Sequence, residues 1–155
     1  MYFSEDMKEL VELFNKHGVD FAVCGGFAVA HYGFVRMTMD FDLLVLPTAA
    51  NAARIMMALT EFGFGNAGFS EKDFQSQGTA VTLGEQPNQI DLLTSMSSQS
   101  TADILDQAAS VQMEGMNMKV VGYKDLLAAK QEAGRVKDKL DVEELKKIKG
   151  QGGEL

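Results

Sequence analysis

Two carboxylates separated by one residue stand in an apolar run, Asp40 and Asp42 within TMDFDLLVL, residues 38–46. In a strand, residues i and i+2 share a face about 6.5–7 Å apart, so both acids project together while Phe41 and Leu43 enter the opposite layer. At a separation of about 5 Å and an effective dielectric near 20, two such anions repel by about 3 kcal/mol. The pair therefore calls for a cation, and Mg²⁺ suits it, being commonly held by one or two carboxylates together with substrate phosphates. Asp91 stands in a second apolar run, Ile90 to Leu93, where an unpaired acid is again costly to bury. If the two strands are neighbours, the three acids form one site able to assist phosphoryl or nucleotidyl transfer, with Asp91 also placed to take a proton from an attacking hydroxyl. The bland alternative is a set of solvated charges on an exposed strand edge.

The elements that must position these acids are readable from pattern. Val19 to Cys24 is short, apolar and β-prone, and it runs into Gly25-Gly26 and then the helical FAVAHYG. Such a strand, glycine turn and helix leaves backbone N–H groups free and lets a phosphate approach closely. Ahead of it, residues 4 to 17 place Met7, Leu10, Val11, Leu13 and Phe14 at helical spacing, with Gly18 as a stop. Thr48 to Phe62 reads as a packed helix ending at Gly63, and residues 63 to 77 as a loop with short irregular pieces. Thr79 to Leu83 and Gln89 to Thr94 read as strands joined by a turn. Ser100 to Ala109 follows as a helix, then a hairpin around Glu114-Gly115, then helices over Tyr123 to Ala133 and Lys137 to Lys149. The expected fold is α/β, a mixed β-sheet flanked by helices, in one domain over residues 1–149 with a disordered tail at 150–155.

Other residues leave more than one reading open. Arg36 can neutralise the acids, hold a phosphate or form a salt bridge to Asp40 or Asp42. His31 can touch a nucleotide or cap the end of its helix. Cys24 reads as a buried, reduced thiol, and Met56, Met57, Met113, Met116 and Met118 as adaptable core or, less simply, a dimer face. Asp138 and Asp141 can add to a metal site, pair with Lys137 and Lys139, or face solvent.

Gly25-Gly26 followed by Arg36-Met37-Thr38-Met39-Asp40-Phe41-Asp42 resembles the signature of the DNA polymerase beta-like nucleotidyltransferase superfamily, most closely its small bacterial branch related to AbiEii-type toxins and minimal nucleotidyltransferases. There a GG or GS turn precedes an R-x-T-x-D-x-D strand. Lys130 to Asp138 is similar to a basic K-x4-R-x-K-D element of the same relatives, and the matches run from about residue 20 to residue 145. The resemblance implies that Gly25 and Gly26 line a triphosphate site, that Asp40 and Asp42 bind the metal with Asp91 as third acid, and that Lys130 and Lys137 contact phosphates. It implies a nucleotidyltransferase that uses Mg²⁺ or Mn²⁺ to move a nucleoside monophosphate from a nucleoside triphosphate to an acceptor hydroxyl on a protein, a small molecule or an RNA end. A non-catalytic nucleotide- or partner-binding domain of the same fold, or one half of a toxin–antitoxin pair, is the alternative.

Composition narrows the partners. The net charge of -8 argues against an extended nucleic-acid surface, although basic residues gather late in the chain, from Lys119 to Lys149. No stretch approaches the ~18 uninterrupted apolar residues of a membrane span. The single cysteine and the acidic, helical beginning fit a cytoplasmic setting, with a partner protein or a homodimer left open.

Overall fold

The computed structural model describes residues 2–151. The order of elements is α1 (Glu5–Lys16), β1 (Phe21–Cys24), α2 (Gly25–His31), β2 (Asp40–Val45), α3 (Ala49–Phe62), β3 (Ala80–Leu83), β4 (Gln89–Leu93), α4 (Thr101–Asp106), β5 (Ala109–Met113), β6 (Met116–Val120), α5 (Tyr123–Ala133) and α6 (Val136–Gly150). The α/β expectation holds, strand for strand and helix for helix. The tail expected from Gly150 is corrected at its start, since α6 includes Gly150; residues 152–155 lie outside the described residues.

Local chemistry sets the helix ends. Ser4 Oγ accepts the Met7 N–H at 3.2 Å, and Glu5 and Asp6 face the positive end of α1. Its buried stripe is Met7, Leu10, Val11 and Phe14. Thr48 caps α3 in the same way, and Gly63 ends it at φ 100°, a left-handed conformation that glycine adopts without steric cost. The loop after it keeps one short 3-10 turn, Asp73–Gln75, anchored by the fully buried Phe74.

All six strands join one sheet in the order β3-β4-β2-β1-β6-β5. β2 pairs antiparallel with β1 and parallel with β4, while β1 pairs parallel with β6, so the sheet is mixed. β1 is buried throughout, as its unbroken apolar run requires. On the face away from the acids, Phe41 meets the rings of Phe3 at 5.4 Å and Phe27 at 4.8 Å. Met116 and Met118 are core residues, whereas Met57 is exposed.

One buried amide ties α3 to the far ends of β1 and β2. Asn51 Oδ1 accepts the Asp20 N–H at 2.8 Å, and its Nδ2 donates to the carbonyls of Leu46 at 2.9 Å and Asp20 at 3.1 Å. Asn51 is itself fully buried, and removing its amide takes a partner from the Asp20 N–H and from the carbonyls of Asp20 and Leu46 at once. Asn51→Ala is expected to cost about 3 kcal/mol, read in a thermal melt as a fall in Tm of roughly 6–12 °C. A change below about 2 °C would show that water replaces the amide.

Candidate active site

Sheet register, more than sequence proximity, assembles the acids. Asp40 and Asp42 occupy alternate positions of β2, both half-buried, while Phe41 and Leu43 are fully buried on the other side. The parallel pairing of β2 with β4 sets Asp42 directly opposite Asp91. The same row continues outward in both directions, to Cys24 on β1 and Thr82 on β3. Directly paired residues share a face, so a thiol, two carboxylates and a hydroxyl lie in line across four strands. Asp40, Asp42 and Asp91 each offer a carboxylate oxygen, and these oxygens all lie within 4.8 Å of one another. The structure thus brings together the three acids singled out from sequence.

Their environment strains them electrostatically. Burial, reinforced by the charges of Asp40 and Asp91, pushes Asp42 up to about 7 from an ordinary 3.8. Burial and then Asp91 also raise Asp40, with Lys137 and Arg36 pulling it back. Asp91 is oriented from outside the cluster: Thr82 Oγ1 donates to its Oδ1 at 2.8 Å, and Gln89 Nε2 reaches both oxygens at 3.0 and 3.1 Å. Hard oxygen donors so grouped, with unfavourable charge when empty-handed, fit a divalent cation such as Mg²⁺.

Asp40 and Asp42 line an open cavity of about 550 Å³ between the sheet, the loop after α2, and α5 with the start of α6. Gly25, Gly26, Arg36, Lys130 and Lys137 also line it. Asp91 stands beside the cavity rather than in its wall. Gly25 has φ 63°, and a Cβ there would land in the Asp42 carboxylate, so that carboxylate lies against the turn only because this residue lacks one. A Cβ on Gly26 would lie 2.7 Å from Thr38 Oγ1, which itself donates to the Asp40 carbonyl at 3.1 Å. His31 is exposed at the end of α2 and does not line the cavity. Cys24 is buried, and that burial, with Asp42 beside it, raises its thiol well above the usual value.

The cationic side departs from sequence expectation. Arg36 pairs with Asp141, not with Asp40 or Asp42: Nε and Nη2 donate to Oδ1 and Oδ2, both at 2.8 Å. Asp138 and Asp141 neither face solvent nor pair with Lys137 and Lys139. Both are fully buried, Asp138 against Lys130 and Arg135, Asp141 against Arg36 and Lys130. Burial alone would raise both carboxyls, but the Arg135 and Lys130 contacts hold Asp138, and the Arg36 and Lys130 contacts hold Asp141, below the ordinary value. Arg135 was not among the expected site residues, and it lines the same cavity. Asp138, Asp141 and Leu145 recur at i, i+3 and i+7 as the inward stripe of α6, which therefore begins with two acids and carries only one apolar residue to mark it.

A solved Thermotoga maritima protein, described as a candidate nucleotidyltransferase, shares this fold with a TM-score of 0.60 at 18% identity, over 94% of this chain and 91% of that one. A comparison with curated proteins found no match. The model of a family described as "Nucleotidyl transferase of unknown function (DUF2204)" matches residues 3–154, and the chain therefore belongs to that family of nucleotidyltransferases.

Proposed function

We propose that the chain transfers a nucleoside monophosphate from a nucleoside triphosphate to an acceptor hydroxyl, releasing pyrophosphate, with Mg²⁺ or Mn²⁺ held by Asp40, Asp42 and Asp91. The observation that carries this reading is the convergence of three carboxylates from two parallel neighbouring strands at the edge of a cavity whose other wall is cationic. A bound metal would supply charge neutralisation at the transferred phosphate and a lowered pKa for the acceptor hydroxyl. The residues do the rest. Gly25 and Gly26 give the triphosphate a surface without side chains, and Arg36, Lys130 and Lys137 meet its oxygens. Asp91, outside the cavity wall but within reach of both other acids, accepts the proton as the acceptor oxygen bonds to the α-phosphorus and the bond to the β-phosphate breaks.

The acceptor is a protein or small-molecule hydroxyl in preference to an RNA end. The net charge of -8 disfavours a long phosphate backbone, and the exposed Met37 and Met39 offer apolar contact at the cavity mouth. The R-x-T-x-D-x-D strand after a GG turn supports placement near the AbiEii-related branch, and the buried, reduced Cys24 supports work in the cytoplasm. Among the described residues no helix is long and apolar enough to cross a membrane.

A thermal-shift screen of the four triphosphates with Mg²⁺ tests the reading. A ligand at 100 times its dissociation constant adds about 2.7 kcal/mol, roughly 5–11 °C for a chain of this size. The shift is expected for at least one triphosphate in wild type and to vanish in Asp40→Asn/Asp42→Asn. That triphosphate, α-labelled, should then pass its label to a co-purifying acceptor. Absence of any metal-dependent shift would end the nucleotide reading.

A further inference from the structure

The cationic wall is built in a way that charge alone does not require. Asp138 and Asp141 are fully buried among three cations, and a buried ion pair gains little net stability because desolvation offsets the attraction. Geometry suggests what the arrangement achieves. Asp141 occupies Nε and Nη2 of Arg36 with both of its oxygens, leaving Nη1, whose contact is a 3.3 Å bond to the Met37 carbonyl. A Cβ on Gly26 would lie 3.4 Å from Nη1, so the uncommitted edge of the guanidinium lies against the glycine turn. Lys130 Nζ sits 3.1 Å from Asp141 and 3.3 Å from Asp138. An ammonium has three donors, so one remains for the cavity that Lys130 lines.

We propose that Asp141, assisted by Asp138, is a positioning residue for triphosphate: it fixes Arg36 and Lys130 so that their unused donors face the cavity. The inference rests on the nucleotide reading above and extends it to two acids that touch no phosphate themselves. An arginine fork held on two sides is already oriented before the ligand arrives, which removes part of the ordering cost of binding. Arg36 belongs to the loop leading into β2 and Asp141 to α6, so the clamp also fixes the distance between the acidic floor and the basic wall.

Charge and aim predict opposite results for Asp141→Asn. The substitution keeps the shape of the side chain and makes the wall more positive by one unit, so a wall acting through charge alone would bind polyphosphate more tightly. A wall acting through aim binds it more weakly. By calorimetry with Mg²⁺, Asp141→Asn is expected to weaken inorganic tripolyphosphate and ATP about tenfold. Mn²⁺ binding in the absence of phosphate, followed by electron paramagnetic resonance, should stay within about twofold of wild type, which general damage to the fold would not allow. Arg36→Lys, which keeps the charge and loses the fork, should show a similar loss, and the double variant should be no weaker than either single one. Equal or tighter polyphosphate binding by Asp141→Asn overturns the proposal. Wild type that binds neither tripolyphosphate nor ATP overturns the nucleotide reading and this inference with it. Should Asp141→Asn fail to fold, Asp138→Asn leaves the Arg36 fork intact and is expected to weaken binding about threefold, with tighter binding again the refuting result.

Discussion

Replacing Asp42 by asparagine is expected to stabilise the metal-free protein at pH 8 by about 2 kcal/mol while removing its response to Mg²⁺. The carboxyl has an ordinary value of 3.8 and is pushed up to about 7 in the fold, first by burial and then by Asp40 and Asp91. Between those two values the native chain holds a proton that the unfolded chain has released. Stability from this group is therefore present in acid, declines as pH rises through about 4 to 7, and is gone above 7. A shift of that size is worth at most about 4 kcal/mol, reduced here by partial solvent access. An asparagine cannot carry the charge and so escapes the penalty. Urea denaturation in EDTA at pH 5 and pH 8 reads the effect: wild type should lose about 2 kcal/mol between them, the variant far less. With Mg²⁺ the order should reverse at pH 8, because the cation replaces the proton and only wild type provides its full set of ligands. A wild-type stability that is flat from pH 5 to 8 would mean that Asp42 is not strained as the geometry implies. Asp138 and Asp141 act in the other direction. Their lowered values add stability that is fully present above about 4 and is lost as pH falls below it, so both acids contribute to acid denaturation.

The second large effect belongs to Gly25→Ala. At φ 63° an alanine carries a left-handed penalty of about 1–2 kcal/mol, and its Cβ would also fall in the Asp42 carboxylate. Because β1 and β2 are paired there, neither strand can retreat without breaking the Cys24–Asp42 register. The combined cost is expected to reach about 4 kcal/mol, with loss of the metal-dependent triphosphate shift. Gly18→Ala is the internal control. Gly18 has φ 67° with nothing within 4 Å of the added carbon, so it should show the backbone penalty alone, about 1 kcal/mol. Equal melting temperatures for the two variants would place Asp42 away from the turn.

Much of this architecture is legible in the residues because local and global signals agree. The run VDFAVC before two glycines, the caps Ser4 and Thr48, and the stop at Gly63 each mark an element where the structure has one. Asp40 and Asp42 declared themselves by being charged where a strand is apolar. The convergence with Asp91 needed the order of strands, since β4 joins β2 through a parallel pairing that no local pattern encodes. The ion pairs within the cationic wall are hidden from the sequence for a related reason. A sequence shows Arg36 four positions from Asp40 and Asp138 beside Lys137, and proximity along the chain suggests those partners. The actual partner of Arg36 lies 105 residues away, and the helical stripe that buries Asp138 and Asp141 is polar at its start, so it does not announce itself as an inward face.

That separation has a consequence for how the molecule is made. A chain leaving the ribosome presents Gly25, Asp40, Asp42 and Asp91 long before Asp138 and Asp141 emerge. Strands β1, β2 and β4 can then pair and gather the carboxylates while Arg36 still lacks its clamp and Lys130 its partners. Any state in which the acidic floor has formed but α6 is undocked therefore lacks the ordered basic wall, because Arg36 and Lys130 take their buried partners from α6.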